Sequence, residues 1–186
     1  GVGGHSHNDK LAFELRFGGA LVICDPGSPR YTGDPALRDA FRATRAHATV
    51  VVDGAEQAPI PPGHPFALPD AARAALLAFG EDGGRERFAG EHRGYARRGV
   101  VHRRELWLSG GAALVLDRLL GAGEHAVELR WPFPDEEARL RPLAPGERER
   151  LAAEAGARGA NFDTARAVEV GPAAAPRALL VVAAPW

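Results

Sequence analysis

Methionine is absent from this chain of 186 residues, cysteine occurs once, as Cys24, and Lys10 is the only lysine among 23 basic residues. A single cysteine excludes an internal disulfide. With lysine almost missing, the cations are arginines, whose planar fork matches carboxylate and sulfate groups. In a chain rich in arginine, alanine and glycine, most of them read as compositional. The net charge is −1, so no overall basicity points to nucleic acid. No apolar run is long enough for a membrane span, and no segment reads as a signal peptide. The length suits one well-buried domain and is short for two. The chain opens inside its first motif without an initiator Met, which reads as a single domain over 1–186 excised from the C-terminal part of a longer protein.

What is present is metal-ligand chemistry, concentrated in the first quarter. Gly4-His5-Ser6-His7-Asn8-Asp9 is followed by Asp25-Pro26-Gly27 and by Arg42-Ala43-Thr44-Arg45-Ala46-His47. Zinc accepts His nitrogen and Asp oxygen, and a site with three protein ligands keeps a fourth position open. His7, Asp25 and His47 would supply three. Their separations are far too long for a zinc-finger knuckle and suit ligands delivered by successive strands or loops. His5, His7 and Asp9 alternate, so an extended segment would aim all three one way. Asp9 then reads as a carboxylate that orients an imidazole. Tyr31, one of two tyrosines, lies close in sequence to Asp25 and is a candidate proton handler. His64 and His125 read as ordinary surface histidines, and His92 and His102 sit on strands of uncertain face.

Strand signals run through most of the chain. From Lys10 to Phe17, Leu11, Phe13, Leu15 and Phe17 share one face, the period-2 signature of a half-buried strand. Gly18-Gly19 reads as a hairpin turn. Pairing Phe17 with Ala20 sets Leu15 opposite Val22, Phe13 opposite Cys24 and Ala12 opposite Asp25. That register leaves His7 roughly 16 Å from Asp25 along an ideal strand at about 3.3 Å per residue. A shared ion therefore requires the segment before Lys10 to fold back, or a bulge in the ladder. Further strands are expected at 49–53, 86–92, 100–108, 112–119, 125–131 and 178–184. The run Pro59 to Pro69 is an irregular loop, 71–79 is a strand or a helix, and 146–157 has helical composition. Phe13, Leu15, Phe17, Val22, Cys24 and Val51 are the expected buried layer. The pattern implies an all-β, antiparallel β-sandwich.

The same residues carry a family resemblance. Gly4 to Leu15, Asp25-Pro26-Gly27, Tyr31-Thr32, Phe41 to His47 and Val50 to Gly54, then more faintly His92 to Tyr95, His102 to Arg104 and Leu114 to Asp117, resemble the C-terminal β-domain of heparinase II/III-like polysaccharide lyases. One departure is His47-Ala48-Thr49, where the family usually reads His-Asn-Thr. The resemblance implies β-elimination on uronic-acid-containing glycans, glycosaminoglycan or alginate, in a bacterial periplasmic or secreted enzyme. It also implies Zn2+ held by His7, Asp25 and His47, in a role that fixes loops rather than performs the elimination. His5 matches the β-domain histidine that faces a Tyr and an Asn or His on an N-terminal (α/α) toroid domain. Such partners lie outside this sequence, so the isolated domain is expected to hold half an active site. Tyr31 is the second catalytic candidate, and Arg42 and Arg45 are candidates for binding the anionic polysaccharide.

Two other readings stand beside this one. A cupin-like metal oxygenase also uses His-x-His on a β-barrel, but its Glu follows the second His after three or four residues, where this chain has Leu11 and Ala12. A non-catalytic, zinc-stabilised β-module that binds anionic polysaccharide shares the fold, the metal and the arginines of the lyase reading.

Overall fold

In the computed structural model the described residues are 3–134, apart from 18, 31, 110 and 111, with 138–142, 144, 146, 147, 150, 166–170 and 178–183. The elements are β1 (Leu15–Phe17), β2 (Ala20–Ile23), α1 (Pro35–Arg42), β3 (Val50–Val52), β4 (Ala75–Asp82), β5 (Arg85–His92), β6 (Val101–Ser109), β7 (Ala112–Leu120), β8 (Val127–Leu129), β9 (Ala138–Pro142), β10 (Arg166–Val170) and β11 (Ala178–Ala183). Seven strands form one sheet in the order β4-β5-β6-β7-β11-β10-β9, and β1-β2 and β3-β8 form two small sheets. Every pairing is antiparallel except β11 with β7. The result is an all-β, sandwich-like domain. Within 71–79 the strand alternative holds from Ala75 onward, in β4, and the helical composition at 146–157 falls largely outside the described residues.

The core lies between the large sheet and the two small ones. Leu15, Val22 and Ile23 meet Ala113 and Val115, with Phe13, Phe17, Leu106 and Trp131 packed around them. Leu106 and Val115 are cross-strand partners, and opposed residues share a face. A second cluster joins Val50 and Val52 to Tyr95 and Val100. All three residues of β3 are buried, which accounts for an uninterrupted Val50-Val51-Val52 run rather than an alternating one. The expected layer is largely found: Leu15, Val22 and Val51 are buried, while Phe13 and Phe17 are partly buried against the first cluster.

The first hairpin departs from the expected register. Phe17 pairs with Ala20, but a bulge between Leu15 and Arg16 sets Leu15 opposite Ile23 instead of Val22. Ile23 takes the buried place expected for Cys24, whose amide leaves the hairpin for the carbonyl of Pro132 at 3.1 Å. Nor does the strand begin at Lys10. Leu11 lies in the left-handed region at φ 63°, and the amide of Ala12 closes a turn onto Asp9 O at 2.9 Å. The segment before it folds back, with Asn8 N bonded to Arg42 O at 2.9 Å. Fold-back and bulge therefore both occur, and they return His7 to the neighbourhood of Asp25.

One helix escaped the sequence reading. Asp34 caps α1 by accepting the amide of Leu37 at 2.9 Å, and Pro35 opens its first turn. An Asp-Pro pair before an amphipathic stretch is a helix-start signature that was available. The large sheet also outruns its cover at β4, where Phe79 is 83% exposed and Leu76 66% exposed. Among the described residues no helix is long and apolar enough to cross a membrane.

Candidate metal site

Three side chains remote in sequence converge where the folded-back loop meets the first hairpin. His7, Asp25 and His47 each offer a donor atom, all within 4.8 Å of one another. Ligands of a tetrahedral zinc ion at about 2.1 Å lie roughly 3.4 Å apart, so the group is somewhat more open than a closed shell. Asp25 Oδ2 lies 2.8 Å from His47 Nδ1. Asp25 Oδ1 accepts the amide of Gly27 at 2.8 Å, which fixes the carboxylate across the Asp25-Pro26-Gly27 turn. The rings of His7 and His47 are 5.2 Å apart, and His7 Nε2 meets Ser28 Oγ at 3.0 Å.

The surroundings of His7 favour the neutral form that binds a metal. Burial, and then the proximity of His47, push the His7 imidazole below its ordinary value, so it is neutral at pH 7, as ligation requires. His47 is fully buried, and its Nε2 has no hydrogen-bond partner. Buried polar atoms are nearly always paired, and a metal ion is one group that would satisfy this lone pair. The residues therefore fit zinc by donor type and by the orphaned nitrogen of the buried His47.

A polar network missed by the sequence reading holds the loop in place. Asn8 is buried, donates to Glu56 Oε2 at 2.7 Å and Ala58 O at 2.8 Å, and accepts Ala58 N at 3.1 Å. Glu56 also accepts the amide and hydroxyl of Thr44, each at 2.7 Å. Gln57 accepts Lys10 N at 2.8 Å and donates to Lys10 O at 3.2 Å, while Thr49 Oγ1 donates to Lys10 O at 3.0 Å. Gly94 sits against this corner: a Cβ there would come within 2.6 Å of Gln57 O. The signal available was Asn8 directly after the His-x-His motif, but only the folded loop shows its partners.

The other candidates divide. His5 is exposed beside Phe66, ring centres 5.8 Å apart. Asp9 meets Lys10 Nζ at 3.3 Å. Arg45 is exposed and paired with Glu128 at 2.6 Å. Arg42 is not available to a substrate, which corrects the expectation. It is buried at the end of α1, its guanidinium donating to Pro65 O and Ala67 O at 2.9 Å and to Ser6 O at 3.4 Å. Tyr31 lies outside the described residues. His125 meets Asp53 at the surface at 2.8 Å, whereas His92 and His102 are buried in the large sheet.

The fold and this cluster define a β-sandwich-like domain with a candidate histidine–aspartate metal site. The chain belongs to the heparinase II/III-like family, whose C-terminal model matches residues 1–169. No curated protein sequence matches it directly. The fold is similar to that of the heparan sulfate lyase HepC from Pedobacter heparinus, at 20% identity and a TM-score of 0.58 over 76% of this chain and 22% of that one. A mutant of that lyase matches at 22% identity and a TM-score of 0.57, covering 72% of this chain and 19% of that one. A heparinase III gene product matches at 17% identity and a TM-score of 0.57, over 90% of this chain and 23% of that one. The chain thus spans about a fifth of the length of these lyases. Family membership takes the place of the cupin-like alternative.

Proposed function

We propose that this chain is the β-domain of a polysaccharide lyase that cleaves an anionic, uronic-acid-containing glycan by β-elimination. The observation that carries the reading is the convergence of His7, Asp25 and His47, with an exposed His5 two residues before His7, in a chain matched by the family over 1–169. β-Elimination needs the sugar carboxylate neutralised, the C5 proton removed and the leaving oxygen protonated. His5 would serve as a proton-handling group, since an imidazole can both accept and donate a proton. His7, Asp25 and His47 would hold Zn2+, whose contribution is to lock the loop that carries His5 and His7. Arg45, exposed two residues before His47, would meet the anionic polymer. The remaining proton handler and carboxylate-binding groups would come from an N-terminal (α/α) toroid domain of the same protein.

The test is His5→Ala in the full-length enzyme, assayed for the ultraviolet absorbance of unsaturated uronate products and for bound zinc. Loss of product with zinc retained is expected. Unchanged turnover would remove His5 from the mechanism, and robust lyase activity from residues 1–186 alone would overturn the half-site arrangement.

A further inference from the structure

Beneath the site, β5, β6 and β7 carry a buried polar line that the elimination chemistry does not use. Arg104 and Asp117 are cross-strand partners. The guanidinium grips the carboxylate with two prongs, Nε to Oδ1 at 2.7 Å and Nη2 to Oδ2 at 2.9 Å. Such bidentate pairing fixes the plane of the fork as well as its charge. The rings of Phe13 and Trp131 lie against it, with centres 5.5 and 5.4 Å away. His102 Nε2 meets Asp117 Oδ1 at 2.7 Å, and His92 Nε2 meets His102 Nδ1 at 3.0 Å. All four side chains are buried. Arg104 therefore has one nitrogen left and little freedom to move it.

That nitrogen, Nη1, donates to Leu11 O at 2.8 Å and also to Ala48 O. Leu11 ends the loop that carries His7, and Ala48 follows His47 directly. One guanidinium nitrogen thus ties together the two backbone segments that deliver two of the three candidate ligands. The contact uses a carbonyl, so it survives the replacement of the family's usual asparagine by Ala48. We propose that Arg104, oriented by Asp117, is a positioning residue for the His7–Asp25–His47 site, setting the distance between its two histidines. The inference rests on the metal-site reading above. The staple formed by Lys10, Thr49 and Gln57 is separate from Arg104 and keeps the loop attached when the fork is removed.

The test compares wild type with Arg104→Met/Asp117→Leu, which removes both charges together, and with Arg104→Lys, which keeps a cation but loses the fork. Circular dichroism and a cooperative unfolding transition establish that each is folded. Two measurements follow: Zn2+ and Co2+ titration, with the Co2+ visible spectrum, and in metal-free protein the NMR Overhauser contact between the His7 and His47 rings. In the double variant, metal affinity should fall about 10- to 100-fold, as for lost partners outside a ligand shell, the Co2+ spectrum should change, and the ring contact should vanish. If the double variant does not fold, Arg104→Lys carries the same expectations in smaller measure. A folded variant with an intact ring contact and unchanged metal affinity overturns the proposal. If wild type binds neither ion but its ring contact is lost on substitution, the metal reading fails while the positioning role stands.

Discussion

The Asp25 carboxylate meets Nδ1 of His47 at 2.8 Å, although 22 residues separate them in sequence. This contact needs no ion to form, and it makes His47 both a candidate ligand and a buried structural group. His47→Ala should therefore lose bound zinc and stability together. Emptying the space of this fully buried imidazole costs about 0.5–3 kcal/mol, before any loss of metal-linked stability. Metal content by mass spectrometry and chemical denaturation in the presence of chelator separate the two terms. A variant that keeps full zinc would remove His47 from the ligand set.

Arg42 and Arg45, three residues apart, should behave oppositely. Arg42→Ala leaves the carbonyls of Pro65 and Ala67 without the donors they now have at 2.9 Å, and it frees the proline-rich loop from α1. A loss of about 1–3 kcal/mol is expected, the scale of one buried group left unpaired, since both carbonyls belong to half-buried residues. Arg45→Ala removes only an exposed pair with Glu128 and should stay within about 1 kcal/mol. Denaturant midpoints decide the matter, and equal effects would mean that Arg42 is not a clamp.

The pair also shows what could be read from the sequence. An arginine beside a histidine motif looks alike whether it faces solvent or packs inward, and only α1, missed at its Asp34-Pro35 start, turns Arg42 into the interior. The candidate cluster was legible because His, Asp and His are the residue types zinc accepts, and because their order matches the family resemblance. The strands were legible from alternation and glycine turns. The register of the first hairpin was not, because the bulge at Leu15 depends on Cys24 pairing with Pro132, 108 residues away. His92 and His102 could be placed on strands but not on a face, since no local pattern says which side of β5 and β6 is covered.

The core and the uncovered edge of the sheet give a matched pair of substitutions. Ile23 is fully buried between the layers, and Ile23→Ala should cost about 2–5 kcal/mol through lost transfer energy and the cavity left behind. Phe79 is 83% exposed, so Phe79→Ser should change stability by no more than about 0.5 kcal/mol. It should also reduce self-association through the exposed apolar edge. Unfolding curves and light scattering read both effects. A strongly destabilised Phe79→Ser would mean that β4 is packed in solution.

The buried line of His92, His102, Asp117 and Arg104 should make the fold acid-sensitive above the usual carboxylate range. Gly94 N–H donates to His92 Nδ1 at 3.1 Å, so His92 presents its Nε2 proton to His102, which passes its own to Asp117. Both imidazoles are thereby fixed as neutral. Burial, then His102, Arg104 and Lys10, push His92 down to about 3, against the opposing pull of Asp117. The Tyr95 ring packs on it as well, at 5.4 Å. Burial also lowers His102. Burial alone would raise Asp117, but the Arg104 guanidinium outweighs it and keeps the carboxylate ionised. Between about pH 6.5 and 3 the unfolded His92 binds a proton that the folded one refuses, so stability falls as pH falls, by at most about 1.4 kcal/mol per unit for this one group. His102 adds in the same direction. Unfolding free energy followed from pH 7 to 5, above most carboxylate titration, should decline for wild type and more shallowly for His92→Gln. Identical slopes for the two proteins would show that His92 is not held neutral by the fold.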